Sequence, residues 1–314
     1  MNLLKIILIV IACAVILYIL SGFVASAILY NILLVRTSKK KWSRDVNLNW
    51  DDEYKTMYKL GFEWADENLK YKKDVDIVSD GFHLYGEYFD FGFDKTVIVI
   101  AGRMECCKYA YFFAKPYNEA GYNLLAIDNR CHGMSEGKYH SLGYLEHRDL
   151  INWVKMLEED FGVKQVVIHG ICIGANVGMF ALTSPDRPQS IKAIVTEGMF
   201  ATFGESLKLH LKEFKQPNFP TYYITSWYIK MFSKADIMHD GPIFRIDKVP
   251  EDVKILMLYS KEDKFSPKRD VERLYEKAGN RARLVWFDKG NHSRVRINAI
   301  EKYDKEIKEF LSTL

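Results

Sequence analysis

Three residue types that cooperate in covalent catalysis occur in one order along the second half of the chain. Cys172 lies at the centre of a Gly-Ile-Cys-Ile-Gly sequence, and Asp263 and His292 each follow a later apolar run. A thiolate attacks a carbonyl carbon, an imidazole beside it transfers protons, and a carboxylate orients the imidazole. The sequence therefore predicts a nucleophilic site in which Cys172 attacks, His292 moves protons and Asp263 orients the ring.

The five-residue sequence around Cys172 follows the apolar run Val166–His169 and precedes a helix-like segment. A sharp strand–turn–helix elbow raises a nucleophile above a sheet, and Gly170 and Gly174 suit the close backbone approach that such a turn requires. The N–H of Ile173, at the start of the helix, then faces the oxyanion of a tetrahedral intermediate. We therefore expect Cys172 on a nucleophile elbow, with Ile173 as one oxyanion donor.

Asp263 and His292 each stand just past the carboxyl end of a predicted strand, where ligands of parallel sheets bind. Glu262 is the alternative acid, and a solvated turn is the alternative role for Asp263. Of the eight histidines, His292 is the one that follows the last predicted strand, whereas His132 and His169 are interpreted as structural. Position and chain order favour Asp263 and His292 as the catalytic partners.

Short apolar runs alternate with amphipathic segments along most of the chain, which predicts an α/β fold with a mostly parallel sheet and helices on both faces. The predicted strands are Asp74–Val78, His83–Phe89, Thr96–Ala101, Asn123–Asp128, Gln165–His169, Ala193–Glu197, Ile255–Tyr259 and Leu284–Phe287. The predicted helices are Tyr109–Ala120, Glu146–Phe161, Ala175–Leu182, Arg269–Ala278 and Ala299–Leu311.

About 55 residues separate the predicted strands that end at Glu197 and begin at Ile255. They include a helix-like segment, Gly204–Phe214, and then several aromatic residues. Long insertions at strand ends are often functional. We interpret residues 200–250 as a short helical lid that walls an apolar pocket or touches a bilayer, with additional core packing as the alternative.

The amino-terminal segment from Ile6 to Val35 contains no charged residue, and about 20 apolar residues suffice to cross a bilayer. A signal peptide cleaved after Ala27 is the alternative, but the apolar run continues beyond that position. Basic residues are more numerous after the run than before it, which places the following domain on the cytoplasmic side. These basic residues are Arg36, Lys39, Lys40, Lys41 and Arg44.

The sequence thus predicts three parts: a single-pass cell-membrane anchor over residues 1–36, a linker and helix over 37–72, and a catalytic domain over 73–314. The 48% hydrophobic and 27% charged residues are typical of a globular protein. The net charge of +3 gives no support for nucleic-acid binding. No metal or cofactor is expected, and the sequence does not indicate an oligomeric state.

Cys106, Cys107 and Cys131 lie in loops that follow the third and fourth predicted strands, so they should gather near Cys172. The simpler interpretation is four reduced thiols in packed loops. The alternative is a redox-sensitive site in which Cys131 or Cys106 forms a disulfide with Cys172.

From about Asp80 onward, the chain resembles the α/β-hydrolase superfamily, in its esterase, acylglycerol-lipase and aminopeptidase-like branch. The resemblance implies an α/β-hydrolase fold and a second oxyanion donor after the third strand, which would be the N–H of Arg103. A cysteine at the elbow is similar to the dienelactone hydrolase branch. The matching segments are Asp80-Gly81-Phe82-His83-Leu84, residues 128–137, the elbow, Asp263 with Pro267, and Gly290-Asn291-His292.

The predicted activity is hydrolysis of an ester, thioester or lipid-like acyl substrate through an acyl-enzyme. The partners expected are that small-molecule or lipid substrate and, through the amino-terminal helix, the membrane. A catalytically inactive protein of the same fold, which binds a ligand or senses redox state, is the alternative.

Overall fold

The computed structural model describes residues 3–38, 40–42 and 51–314; Lys39 and Arg44, part of the predicted basic flank, lie outside the described residues. Eight strands form one sheet in the order β1-β2-β4-β3-β5-β6-β7-β8. β2 pairs antiparallel with β1 and β4, and the remaining pairs are parallel. The strands are β1 Lys72–Ser79, β2 Phe82–Phe89, β3 Lys95–Ile100, β4 Asn123–Ile127, β5 Gln165–Ile171, β6 Ile191–Glu197, β7 Lys254–Ser260 and β8 Ala282–Phe287.

Helices cover both faces of this sheet, as the sequence predicts. One face carries α4 and α5 over a core that includes Trp153 and Ile168, and the other carries α2, α3 and α10 over a core that includes Phe113 and Tyr303. The helices are α1 Leu3–Leu34, α2 Asp52–Glu67, α3 Ala114–Glu119, α4 Glu146–Phe161, α5 Ile173–Leu182, α6 Phe203–Glu213, α7 Thr221–Tyr228, α8 Lys268–Ala278, α9 Val295–Asn298 and α10 Ile300–Leu311.

The central strands are continuous apolar runs because they are buried on both faces. In β3, every residue from Thr96 to Ile100 is fully buried. Parallel strands between two helical layers have this pattern, and their carboxyl ends meet at one edge of the sheet. The ends of β5, β6, β7 and β8 therefore converge on one place, which positions the loops that follow them.

The prediction of one α-helix over Tyr109–Ala120 is wrong in its first half. The chain forms a 3₁₀ helix over Cys107–Phe113 and becomes α-helical only over α3. All the residues of Tyr109–Phe113 are buried, between the sheet and α2. An α-helix of a surface layer needs a polar face, which this run of apolar residues does not supply.

The predicted lid contains α6, α7 and a π-helical turn, Ile229–Ser233, between β6 and β7. We call residues 203–233 the lid. The amino-terminal helix α1 packs against α7. By its length and composition, α1 is long and apolar enough to cross a membrane.

Candidate active site

The turn between β5 and α5 is a sharp elbow centred on Cys172, whose φ and ψ angles are 54° and −118°. Positive φ is uncommon for a residue with a side chain and marks a locally strained turn. Both flanking glycines are required by space: a Cβ on Gly174 would lie 2.2 Å from the carbonyl oxygen of Ile100, and one on Gly170 would lie 2.4 Å from Cα of Ala175. The elbow thus holds the thiol above the carboxyl edge of the sheet.

The structure brings Cys172, His292 and Asp263 together in one hydrogen-bonded series. Nδ1 of His292 lies 2.8 Å and 3.0 Å from the two carboxylate oxygens of Asp263. The same imidazole forms a hydrogen bond with the sulfur of Cys172. The backbone N–H groups of Phe265 and Ser266 donate to Asp263, which fixes the carboxylate that orients the ring.

Glu262, the alternative acid, occupies a different place. Its carboxylate accepts a hydrogen bond of 3.1 Å from the backbone N–H of Gly290. Gly290 belongs to the loop that carries His292, so Glu262 holds that loop while Asp263 contacts the imidazole.

The electrostatics of the site favour a charged sulfur. Burial alone would raise the pKa of Cys172, but the charge of His292, the hydrogen bond with it and the nearby Arg103 outweigh burial and lower that pKa. Burial alone would likewise lower the pKa of His292, yet the charges of Asp263 and Cys172 raise it well above the usual value. The pair therefore favours a thiolate beside an imidazolium, the state in which a cysteine is nucleophilic.

Two backbone N–H groups lie where the resemblance and the elbow place an oxyanion hole. The N–H of Arg103 donates toward the sulfur of Cys172. The loop that carries Arg103 passes close to the nucleophile, since a Cβ on Gly102 would lie 3.3 Å from Cβ of Cys172. Ile173 is the first residue of α5, so its N–H is at the positive end of the helix.

A cavity of about 180 Å³ opens beside Cys172 and His292. The loop of Arg103 forms one wall and α6 forms another, through Phe203, Ser206 and His210. The remaining lining residues are Tyr54, Gly102, Met104, Glu105, Tyr109, Ile171, Ile173, Phe200, Phe265 and Ser293. The cavity thus joins the nucleophile to the lid and, through Tyr54, to α2.

Comparison with known proteins places this geometry in a wider group. The family described as "Serine aminopeptidase, S33" matches residues 93–239, somewhat less than half of the chain. An esterase of Pyrococcus furiosus, Pf2001, superposes with a TM-score of 0.66 at 25% identity and covers 80% of this chain and 94% of its own. The matched family and this esterase support an α/β-hydrolase fold for this chain.

Two further proteins are similar to this chain over comparable lengths. The esterase EaEST of Exiguobacterium antarcticum shares the fold with a TM-score of 0.55 at 15% identity, over 76% of this chain and all of its own. The uncharacterized protein YqkD of Bacillus subtilis (strain 168) is 28% identical over 226 residues, which are 70% of this chain and 72% of YqkD.

Sequence reasoning missed Glu197, the last residue of β6, which is fully buried next to the site. It accepts hydrogen bonds from the N–H of Val295 at 2.9 Å and from the hydroxyl of Tyr303 at 2.7 Å. Burial raises the pKa of Glu197 to about 7. The sequence did contain a signal for Glu197, because it lies at the carboxyl end of a parallel strand. Cys172, Asp263 and His292 each follow the carboxyl end of a neighbouring strand.

Sequence reasoning also missed His210, which reaches the cavity from α6 and stacks on Phe265 with 4.4 Å between ring centroids. His132 and His169, interpreted as structural, are both fully buried. His132 stacks on Trp42, and His169 lies 3.1 Å from the hydroxyl of Tyr303. Helix α6 carries no catalytic motif, so nothing in the sequence pointed to His210.

The neighbouring cysteines differ from Cys172 in their environment. All five cysteines are free thiols. Cys131 is fully buried, and its burial raises its pKa well above the usual value. The pKa of Cys107 is also raised, by a hydrogen bond with Cys106 and by burial. The surroundings of Cys172 thus favour its thiolate, whereas those of Cys131 and Cys107 favour the neutral thiol, and the disulfide of Cys172 with Cys131 or Cys106 stays a prediction.

Proposed function

We propose that this α/β-hydrolase is a membrane-anchored enzyme that cleaves an ester or thioester through an acyl-enzyme on Cys172. The observation that carries the proposal is the series of hydrogen bonds from Asp263 through His292 to the sulfur of Cys172, on an elbow that exposes the thiol to the cavity. A nucleophile, a base within hydrogen-bond reach and a group that orients the base are the minimum for nucleophilic catalysis.

In the first half-reaction, the thiolate of Cys172 attacks the carbonyl carbon, and the carbonyl oxygen takes up the negative charge. The N–H groups of Arg103 and Ile173 stabilise this oxyanion. The imidazolium of His292 protonates the leaving alcohol or thiol as its bond to the carbonyl carbon breaks, which leaves a thioester on Cys172.

In the second half-reaction, neutral His292 takes a proton from water, and the resulting nucleophile attacks the acyl-enzyme. The tetrahedral intermediate forms in the same oxyanion hole and expels the thiolate of Cys172, which again pairs with the imidazolium. Asp263 stays ionised throughout, because the charge of His292 and its hydrogen bonds lower its pKa despite burial.

Membrane anchoring rests on α1. Tyr18, Gly22 and Ser26 precede the potential cleavage site at Ala27, and each contacts the lid. A segment built into the fold in this way is expected to be retained. The basic residues after α1 favour a catalytic domain on the cytoplasmic side.

The test is a panel of p-nitrophenyl esters and acyl-thioesters assayed with wild type, Cys172→Ala and Cys172→Ser. We expect turnover by wild type, a loss of at least about a thousandfold in Cys172→Ala, and partial activity in Cys172→Ser, whose hydroxyl keeps the base beside it. Equal turnover by wild type and Cys172→Ala would contradict the mechanism. No turnover by any of the three would favour the inactive, ligand-binding alternative.

A further inference from the structure

Helix α1 is divided into two parts by its exposure. Every residue from Leu3 to Ser21 is exposed, whereas Gly22, Ser26, Tyr30 and Leu33 are buried against the rest of the protein. The uncharged exposed residues, Ile6–Ser21, span about 24 Å at 1.5 Å per residue, and a lysine at their outer end can extend toward the headgroups of a bilayer whose hydrocarbon core is roughly 30 Å thick. The exposed part of α1 is therefore nearly as long as a membrane is thick, and the domain begins where that part ends.

The segment that meets α1 at this boundary is the lid. The backbone of Gly22 lies against Pro220, where a Cβ would come within 2.4 Å of the proline ring. The hydroxyl of Ser26 donates to the carbonyl of Thr221 at 3.1 Å. Small residues four positions apart let two segments approach closely. These contacts hold the amino-terminal end of α7 beside α1, at the level where its exposed part ends.

Contacts on either side of this boundary define the same alignment. The hydroxyl of Tyr18 donates to the carbonyl of Phe219 at 2.5 Å, and the hydroxyls of Tyr30 and Ser233 lie 3.0 Å apart. The lid thus follows α1 from the last exposed turns of that helix onward.

The side of the lid that faces away from the protein carries a row of large apolar residues. Phe219, Tyr223, Trp227 and Met231 are four residues apart and are 62%, 55%, 50% and 50% exposed. Tyr223 and Trp227 share one face of α7, whereas Phe219 lies just before that helix and Met231 lies in the π-helical turn after it. Tryptophan and tyrosine concentrate where bilayers meet water, because their rings are apolar and one end is polar.

The charge of the lid complements a membrane surface. The lid contains four lysines and two glutamates, a net charge of +2, and a fifth lysine follows it directly. All five lysines are exposed, and Lys230 also pairs with Asp236 at 2.7 Å. Juxtamembrane lysines are attracted to anionic lipid headgroups. These lysines are Lys208, Lys212, Lys215, Lys230 and Lys234.

We propose that the lid lies in the headgroup region of the membrane that α1 crosses, with Phe219, Tyr223, Trp227 and Met231 inserted among anionic lipids. The inference rests on the membrane anchoring of the proposed function. It also bears on the substrate, since α6 lines the cavity with one face and packs against α7 with another. A single helix then separates the bilayer surface from the cavity beside Cys172, an arrangement that favours esters dissolved in the membrane.

Depth-dependent fluorescence quenching of the full chain in phosphatidylcholine–phosphatidylglycerol vesicles tests the membrane contact directly. A Cys13→Ala, Cys172→Ser background removes the two cysteines that are not buried. Tyr223→Cys then carries an environment-sensitive dye, with Phe93→Cys as the matched control, an exposed aromatic position at the opposite edge of the sheet. We expect headgroup spin-labelled lipid to quench the dye at 223 at least about twofold more than at 93, because only the former is interfacial. Equal quenching at the two positions would overturn the inference.

A second arm separates this inference from the proposed catalysis, with Cys172 intact. In Tyr223→Ser/Trp227→Ser, we expect turnover of soluble p-nitrophenyl acetate to stay within about twofold, and turnover of a vesicle-dissolved long-chain ester to fall about tenfold, because interfacial anchors are lost. Phe93→Ser should leave both rates unchanged. Quenching at 223 without turnover of any ester would sustain the inference and count against the proposed function. Turnover of the soluble ester without quenching at position 223 would overturn the inference and support the proposed function.

Discussion

At the scale of residues, the sulfur of Cys172 changes how the site is poised before substrate arrives. A thiol gives up its proton far more readily than a hydroxyl, and the lowered pKa of Cys172 beside the raised pKa of His292 favours an ion pair at rest. A serine at the same elbow stays neutral and needs an uncharged imidazole to remove its proton during attack. The two nucleophiles thus require opposite starting states of His292.

This difference predicts distinct pH profiles for wild type and Cys172→Ser. In wild type, kcat/KM should hold to low pH because the thiolate persists down to the lowered pKa of Cys172, and it should decline when His292 loses its proton above its raised pKa. In Cys172→Ser, activity should instead rise as His292 becomes neutral. We expect the acidic limb of the variant to lie at least about one pH unit higher. Coinciding acidic limbs in the two profiles would refute the ion pair.

The two adjacent acids make a second prediction at this scale. Asp263→Asn should lower kcat on the order of 10²–10⁴-fold, because an amide neither fixes the tautomer of His292 nor stabilises its charge. Glu262→Gln is the matched control: it can still accept the hydrogen bond from Gly290, so its kcat should fall by less than about tenfold. Steady-state kinetics on one ester measure both, and a larger loss in Glu262→Gln would reassign the acid.

Residues that follow strands could be predicted from the sequence, and residues placed by packing alone could not. Local sequence patterns predict the elbow glycines and the order Cys172, Asp263, His292, because the sequence indicates where each strand ends. Glu197 obeys the same rule and lacked only a recognised motif around it. His210 reaches the cavity because α6 folds over the site, and no local pattern records that approach.

At the scale of elements, Glu197 connects the sheet to the last two helices. Its carboxylate binds the N–H of Val295 in α9 and the hydroxyl of Tyr303 in α10, and Tyr303 also reaches His169 in β5. These contacts hold the segment after His292 against the sheet. Burial removes water from the carboxylate and makes its charged form less stable, which raises the pKa of Glu197.

Glu197→Gln should therefore change how stability depends on pH. Because folding raises the pKa of Glu197, its protonated form stabilises the folded state. This stabilisation is fully present below the pKa of the unfolded chain, near 4.5, and is lost as pH rises toward the folded pKa of about 7. Relative to that of the glutamine variant, the free energy of unfolding of wild type should fall by roughly 3 kcal/mol across this pH range. Denaturant unfolding of both proteins at pH 4.5 and pH 8 measures the difference, and a gap that does not change with pH would show that folding does not raise the pKa of Glu197.

Elements with a clear amphipathic pattern could be predicted from the sequence more accurately than elements without one. Helix α4 begins and ends where the sequence predicts, because Leu150, Trp153 and Leu157 repeat at helical spacing above a polar face. Within Cys107–Phe113, the residues after Lys108 are all aromatic or apolar, so their pattern does not distinguish a 3₁₀ helix from an α-helix. Its conformation is set by α2, where Gly61 lies against the backbone of Phe112.

At the scale of the whole molecule, α1 and the lid form one unit although they are far apart in the sequence. The contacts of Ser26 and Tyr30 with the lid join residues that are 195 and 203 positions apart. The sequence predicts each part separately, an apolar anchor and an aromatic insertion. Their pairing could not be predicted, since a glycine and a serine in an apolar helix give no indication of their partner.

This pairing predicts that the mature protein keeps α1. Mass spectrometry of the chain from the membrane fraction should find residues before Ala27, and alkaline carbonate should not extract it, because a retained apolar helix of this length is expected to span the bilayer. Gly22→Leu is a useful companion: the larger side chain cannot fit against Pro220 but leaves the apolar run intact, so retention should persist while the lid is displaced. A soluble mature chain that begins at Ile28 would contradict the prediction.

The division of α1 has a practical consequence for preparing a soluble form of this protein. A deletion of the whole apolar helix, the usual choice, would uncover the surface that receives Gly22, Ser26 and Tyr30, and the shortened protein should aggregate or lose lid geometry. A deletion that ends before Gly22 removes the fully exposed turns and keeps those that pack against the domain. The boundary between the exposed part of α1 and the folded domain therefore lies inside a continuous helix.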